Sequence, residues 1–352
     1  MSLDLFINKE RLDIYVQHLK ITPAQVMSAY HWNKALCGAM LPALQCLEVT
    51  LRNALDHAIR TNPPPAAVAS SLWKTDHNWI FDLPRYMGDK AYPKNNDRYK
   101  RPDPKKTTQP RDAQGFLLDQ YGNRVLKKTI PVENQVKMAI DEIAKTSKLI
   151  TPNRVISGLS FGFWTMLLTR YYENPQGAHK TLLWPHLTRT VFPNAPAHYE
   201  RKEICDQFYR IKELRNRLSH HEAIWKFHHD DPKTGKPDYG NPVYGAQASC
   251  SLLRKHYDDI LDMIGWMNPD RKVNFLSHSA NLRFYALCSV DGLNSYIAPE
   301  KIKAQIKVSR GGKGISRLIR VLEKWICPYI SRHLLSLNPL QARCRRYSRG
   351  ER

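Results

Sequence analysis

The feature that most constrains this chain is a run of apolar residues at helical spacing between positions 24 and 60. Leu36, Met40, Leu44, Leu47, Leu51 and Leu55 recur three or four residues apart, which gathers them on one stripe of a helix rather than one face of a strand. Pro42 lies inside the run and is expected to kink or restart it, and TNPPP at 61–65 stops it. Further helices are predicted from Pro131 through Met138, Ile140, Ile143 and Leu149, from Leu159 to about Tyr172, from Tyr199 to about Trp225, and from Ser251 to Trp266. Residues 66–132 read as irregular, with one hairpin predicted in FLLDQYGNRVL (116–126) turning at Gly122 and Asn123. DDPKTGKPDYGNP (230–242) reads as a loop by composition. No repeat of solenoid period is present, so the expected fold is all-α.

Charge narrows the function. Lys and Arg number 54 against 32 Asp and Glu, a formal net charge of +22. Residues 301–352 hold 14 of those cations and two acids, Glu323 and Glu351, and Arg85 to Lys128 holds 12 cations against five aspartates. Such stretches attract phosphates by sequence-independent Coulomb forces, which makes nucleic acid the first expected partner. Leu318, Ile319, Val321, Leu322, Trp325 and Ile326 suggest that the last stretch is a basic helix, with Arg317, Arg320, Arg343, Arg345 and Arg346 as its RNA contacts. The 97–112 stretch reads more simply as a polar loop. No stretch reaches about 18 uncharged apolar residues, so no membrane-spanning helix is expected. The first residues, MSLDLFINKERLDIY, are charged too early for a signal peptide. Seven cysteines, odd in number and never spaced C-x-x-C, argue for free thiols and a cytoplasmic setting.

The chemistry is concentrated in LRNRLSHHEAIW, residues 214–225. On a continuous helix Asn216 and His220 are i,i+4 neighbours, with Arg215, Ser219 and Glu222 on the adjacent stripe. A permanent planar cation thus stands beside a group that titrates near neutrality. RNA cleavage needs a base for the 2′-OH, an acid for the leaving oxygen and a cation for the pentavalent phosphorus. Histidine and arginine supply these without a metal, and two copies across a dimer would make the site more complete. His221 reads either as a second proton carrier or as a hydrogen-bonding core residue. Glu222 would orient an imidazole or neutralise Arg217.

These residues resemble a known family. LRNRLSHHEAIW resembles the R-N-x-x-x-H-H segment of abortive-infection (Abi-type) proteins of the HEPN superfamily. GLSFGFWTMLL (158–168), CLEVTLRNALDHAI (46–59) and ILDMIGWMNPD (260–270) resemble three further segments of related proteins, in the same order. The departure is Ala223, where relatives often carry Pro or a basic residue. The resemblance implies a HEPN-type helical bundle, usually a homodimer with the motif at its interface. It also implies metal-independent endoribonuclease activity in a toxin or anti-phage effector, in some members restrained by a small antitoxin RNA. Arg215 and His220 match the invariant pair and Asn216 its polar position. His220 would then be general base or acid, Arg215 the phosphorane stabiliser, and Asn216 a partner of imidazole or phosphate. His221 matches the second histidine of this branch. The division implied is 1–60, an N-terminal helical part; 61–132, an irregular basic insertion; 133–290, the core carrying the motif; and 291–352, a basic C-terminal extension. The alternative functions are a non-catalytic HEPN RNA-binding protein and a DNA-associated basic protein.

Several patterns carry less. Arg52, Asn53 and His57 repeat the R-N-x-x-x-H spacing, either as a second half-site or, by the duller reading that the surrounding sequence favours, as Arg52 and Asn53 supporting the fold. His220, His221, His228 and His229 lack the Cys or carboxylate partners of an ordinary zinc site, so no metal or other cofactor is expected. GGKG (311–314) lacks a preceding strand and reads as a flexible joint. Trp73, Trp79, Tyr92 and Tyr99 lie near basic residues and would stack bases or fill the core.

Overall fold

The computed structural model describes residues 7–63, 75–86, 100–102, 108–118, 122, 124–125, 131–146, 148–173, 183–278 and 280–298. Those residues form eleven α-helices and one two-stranded sheet, an all-α protein. The helices are α1 (Lys9–Leu19), α2 (Val26–Thr61), α3 (Pro131–Lys145), α4 (Pro152–Gly158), α5 (Phe161–Met166) and α6 (Thr188–Val191). They continue with α7 (Arg201–Ser219), α8 (Ala246–Met267), α9 (Pro269–Leu276), α10 (Ala280–Leu287) and α11 (Val290–Ile297). The described residues fall into two compact units. One is drawn from Met1–Pro42, His221–Lys255 and His278–Arg352, the other from Ala43–His220 and His256–Ser277.

The long apolar run is helix α2, and Pro42 neither kinks it into two elements nor restarts it. Pro42 has no N–H to give the Gly38 carbonyl, so the helix runs on with that one intrahelical bond missing. Against expectation, residues 23–61 are long and apolar enough to cross a membrane, with a mean hydropathy of 1.2 over the best window. Yet Trp32, Leu36, Met40, Leu47, Leu51, Leu55 and Ile59 are all fully buried, as the stripe of a core helix is.

Other boundaries shift for local reasons. α3 stops at Lys145, and Leu149 lies exposed beyond it. The helix expected over 159–172 is broken into α5 and a 3-10 turn at Arg170–Tyr172, with Ser160 and Thr169 as their N-terminal cap residues, while α4, capped by Thr151, ends before it. The 230–242 loop begins at the last residue of strand β1 (His228–Asp230) and contains strand β2 (Pro237–Pro242), the two paired antiparallel. The hairpin near Gly122 is present as an antiparallel bridge between Leu118 and Arg124, with Gly122 at φ +80°. That angle suits glycine because it has no Cβ.

Each unit has an aromatic core. In the first, Trp225 lies 5.0 Å from Tyr15 and 6.4 Å from Trp32 between ring centroids, and Trp32 donates to the Leu287 carbonyl at 2.8 Å. In the second, Phe208 of α7 meets Phe161 of α5 at 6.4 Å and Phe192 at 5.7 Å, while Trp79 meets Trp164 at 6.4 Å. Trp79 is therefore a core residue. The packing of α5 on α7 sets the start of one helix beside the helix that carries the motif.

Candidate active site

α7 begins with a reciprocal cap, Glu200 with Glu203, and buries Ile204, Phe208, Ile211 and Leu214 at three- and four-residue spacing. This buried stripe leaves Arg215 and Asn216, at its C-terminal end, half-buried. The helix ends six residues before Trp225. His220 is its cap, donating its backbone N–H to the Asn216 carbonyl at 2.9 Å, and the Ser219 hydroxyl donates to the Arg215 carbonyl at 3.0 Å. His221 follows at φ +56°, a left-handed conformation uncommon outside glycine and asparagine. His220 and His221 are both exposed. The i,i+4 relation of Asn216 and His220 thus holds in the backbone. Glu222 lies past the helix end and is not on the Arg215–Ser219 stripe.

Beyond that turn the chain belongs to the first unit, where Asn33 of α2 holds it. The Asn33 amide donates to the Glu222 carbonyl at 3.0 Å, and its oxygen accepts the Ile224 N–H at 3.1 Å. Ala223, Ile224 and Trp225 are buried immediately after exposed Glu222. The Ala223 departure therefore falls at a packed core position of that unit.

Within the second unit, three of the quoted segments meet at Glu48 of α2. Its carboxylate accepts a hydrogen bond from the backbone N–H of Phe161 at the start of α5, and it feels the charges of Arg215 and Arg52. Burial pushes the Glu48 carboxyl above its ordinary value, and the two guanidiniums and the amide pull against that shift without cancelling it. Arg52 is half-buried here, whereas Asn53 and His57 point to solvent. Sequence reasoning missed Glu48, although its i,i+4 spacing to Arg52 was legible in CLEVTLRNA.

The sign of this effect is testable. A carboxyl whose pKa rises on folding binds its proton more tightly in the folded chain. Its stabilising contribution is complete below the ordinary glutamate range and is lost as pH rises through the raised value. Glu48→Gln has no such proton. The melting temperature of wild type minus that of E48Q should therefore fall between about pH 4, near the ordinary value, and neutrality. A difference that stays flat or grows with pH overturns this account.

Among the described residues no three His, Cys, Asp or Glu side chains are grouped to hold a metal ion. His228 packs its ring against Tyr239 at 5.1 Å. Arg317, Arg320, Arg343, Arg345, Arg346, the 318–326 helix, GGKG, Trp73, Tyr92 and Tyr99 lie outside the described residues.

What the fold and this cluster define is a helical protein with a guanidinium–carboxylate centre at the C-terminal end of one helix, in the same unit as the exposed cap residue His220. Over residues 4–226, more than half of its length, the chain matches the family described as Abi-like protein, and it belongs to that family. The family points to abortive-infection defence. No solved structure matches the chain closely enough to count as similar.

Proposed function

We propose that this chain is a metal-independent endoribonuclease of the HEPN type that serves as an abortive-infection effector. It would act in the cytoplasm as a homodimer, with a small RNA able to restrain it. The observation that supports this reading is the meeting of Arg215, Arg52 and the Phe161 N–H at Glu48, in the same unit as the exposed cap residue His220. A fixed guanidinium near a titratable imidazole suits phosphodiester transfer. The 2′-OH loses its proton and attacks phosphorus, and the P–O5′ bond breaks as the 5′-oxygen gains a proton. Arg215 stabilises the charge that gathers on the equatorial oxygens, and His220 carries one of the two protons. Asn216 and the neighbouring Arg52 orient the phosphate, and Glu48 keeps the two arginines from swinging out to solvent. Beyond the site, the cationic stretches hold RNA by charge.

The test is purification from cells with sequencing of bound RNA, followed by incubation with cellular RNA in EDTA. Fragments ending in 2′,3′-cyclic phosphate and starting with 5′-hydroxyl are the expected products. A strict Mg²⁺ requirement, or no new ends with any RNA, overturns the proposal.

A further inference from the structure

A second imidazole is built into the same unit, and the R-N-x-x-x-H motif does not include it. Asp56 of α2 is buried and accepts three hydrogen bonds. Trp79 Nε1 donates at 2.8 Å and His77 Nδ1 lies at 3.1 Å, both to Oδ1, and Arg60 Nε donates at 3.0 Å to Oδ2. Burial pushes the Asp56 carboxyl up, but the bonds from Trp79, Arg60 and His77 outweigh it and hold the group below its ordinary value. An ionised carboxylate only accepts, so His77 must carry its proton on Nδ1. In the neutral imidazole the lone pair is then on Nε2. The His77 side chain is 41% exposed, so that lone pair is not sealed in the core. A carboxylate that fixes the tautomer and angle of an imidazole is the arrangement that prepares a general base.

Its place in the fold ties it to the site. Glu48, Arg52, Asp56 and Arg60 follow one another at intervals of four along α2, forming one ridge of neighbouring side chains. Asp56 stands one turn beyond Arg52, about 6 Å along the axis, and two turns beyond Glu48, about 12 Å. The ridge therefore runs from the carboxylate that feels Arg215 to the carboxylate that orients His77, all within one unit. An RNA whose phosphate lies on Arg215 and Arg52 would lay its neighbouring ribose along that ridge.

We propose that His77 is a further catalytic residue of the ribonuclease, the general base, with Asp56 as its positioning residue and His220 as the acid. This rests on the ribonuclease reading above. His77 Nε2 takes the proton of the 2′-OH as the 2′-oxygen bonds to phosphorus. His220 gives its proton to the 5′-oxygen as the P–O5′ bond breaks, leaving a 2′,3′-cyclic phosphate and a 5′-hydroxyl. Exchange with water returns both imidazoles to their starting states.

The experiment compares the full-length wild type with His77→Gln and His77→Ala on one RNA, reading kcat, KM and melting temperature. The expected result is a fall in kcat of about 10²-fold or more, KM within twofold, and partial recovery of H77A by added imidazole. A kcat equal to wild type in H77Q overturns the assignment and leaves the second proton carrier to His221 or a partner subunit. A loss that follows the melting temperature and ignores imidazole also overturns it, by making His77 a purely structural strut. A wild type that cleaves no RNA overturns the ribonuclease reading itself, and this assignment with it.

Discussion

His220→Ala should lower kcat for RNA cleavage by about 10²- to 10⁴-fold, the range for loss of a positioned proton carrier, while the protein stays folded. The side chain is exposed and lies past the last helical residue, so its removal costs no more than about 0.5 kcal/mol of stability. The backbone bond that ends α7, from His220 N–H to the Asn216 carbonyl, does not depend on the imidazole. Arg215→Ala should cost about 10²- to 10³-fold, comparable with removing one donor to a developing oxyanion. Its effect on the protein differs from that of His220→Ala. Arg215 is half-buried, and its charge is the larger of the two that hold down the Glu48 carboxyl, so its loss should raise that carboxyl further. Arg215→Lys keeps a charge but not the planar fork, and it should restore little of the rate. The measurement is single-turnover cleavage of an end-labelled RNA, with melting curves alongside. His220→Ala cleaving at the wild-type rate would remove the R-N-x-x-x-H motif from the mechanism.

The sequence was most legible where burial is periodic. The stripes of α2, α7 and α8 repeat every three or four residues because each helix buries one side, and no local exception interrupts them. It was least legible where the backbone departs from what residue type signals. The end of α7 was hidden because Ala223, Ile224 and Trp225 extend the apolar pattern after the helix has stopped. The left-handed residue that stops it is His221 rather than a glycine. The strands around 228–242 were hidden for the opposite reason. They are almost wholly exposed, so backbone pairing and the Asp231–Gly235 turn hold them without any apolar alternation. Of the site, Arg215, Asn216 and His220 were readable from spacing. Glu48 was legible only in its spacing to Arg52, and its meeting with Arg215 and Phe161 was not, nor was the Asp56–His77 pair, because those partners come from segments far away in sequence.

Asn33→Ala should destabilise the first unit by about 2–4 kcal/mol, although the residue is nowhere near the motif in sequence. Asn33 is 1% exposed, and its amide both donates to the Glu222 carbonyl and accepts the Ile224 N–H. Truncation leaves that N–H unpaired at Ile224, a fully buried residue. A buried donor without a partner costs about 1–3 kcal/mol, beyond the roughly 1 kcal/mol of a second lost bond. Asn33→Asp separates the two halves of the clamp. Its carboxylate still accepts from Ile224 but cannot donate to Glu222, and it carries a charge into the core, so it should be no better tolerated. Urea unfolding of wild type, N33A and N33D measures this, and N33A within 0.5 kcal/mol of wild type would show that water replaces the clamp.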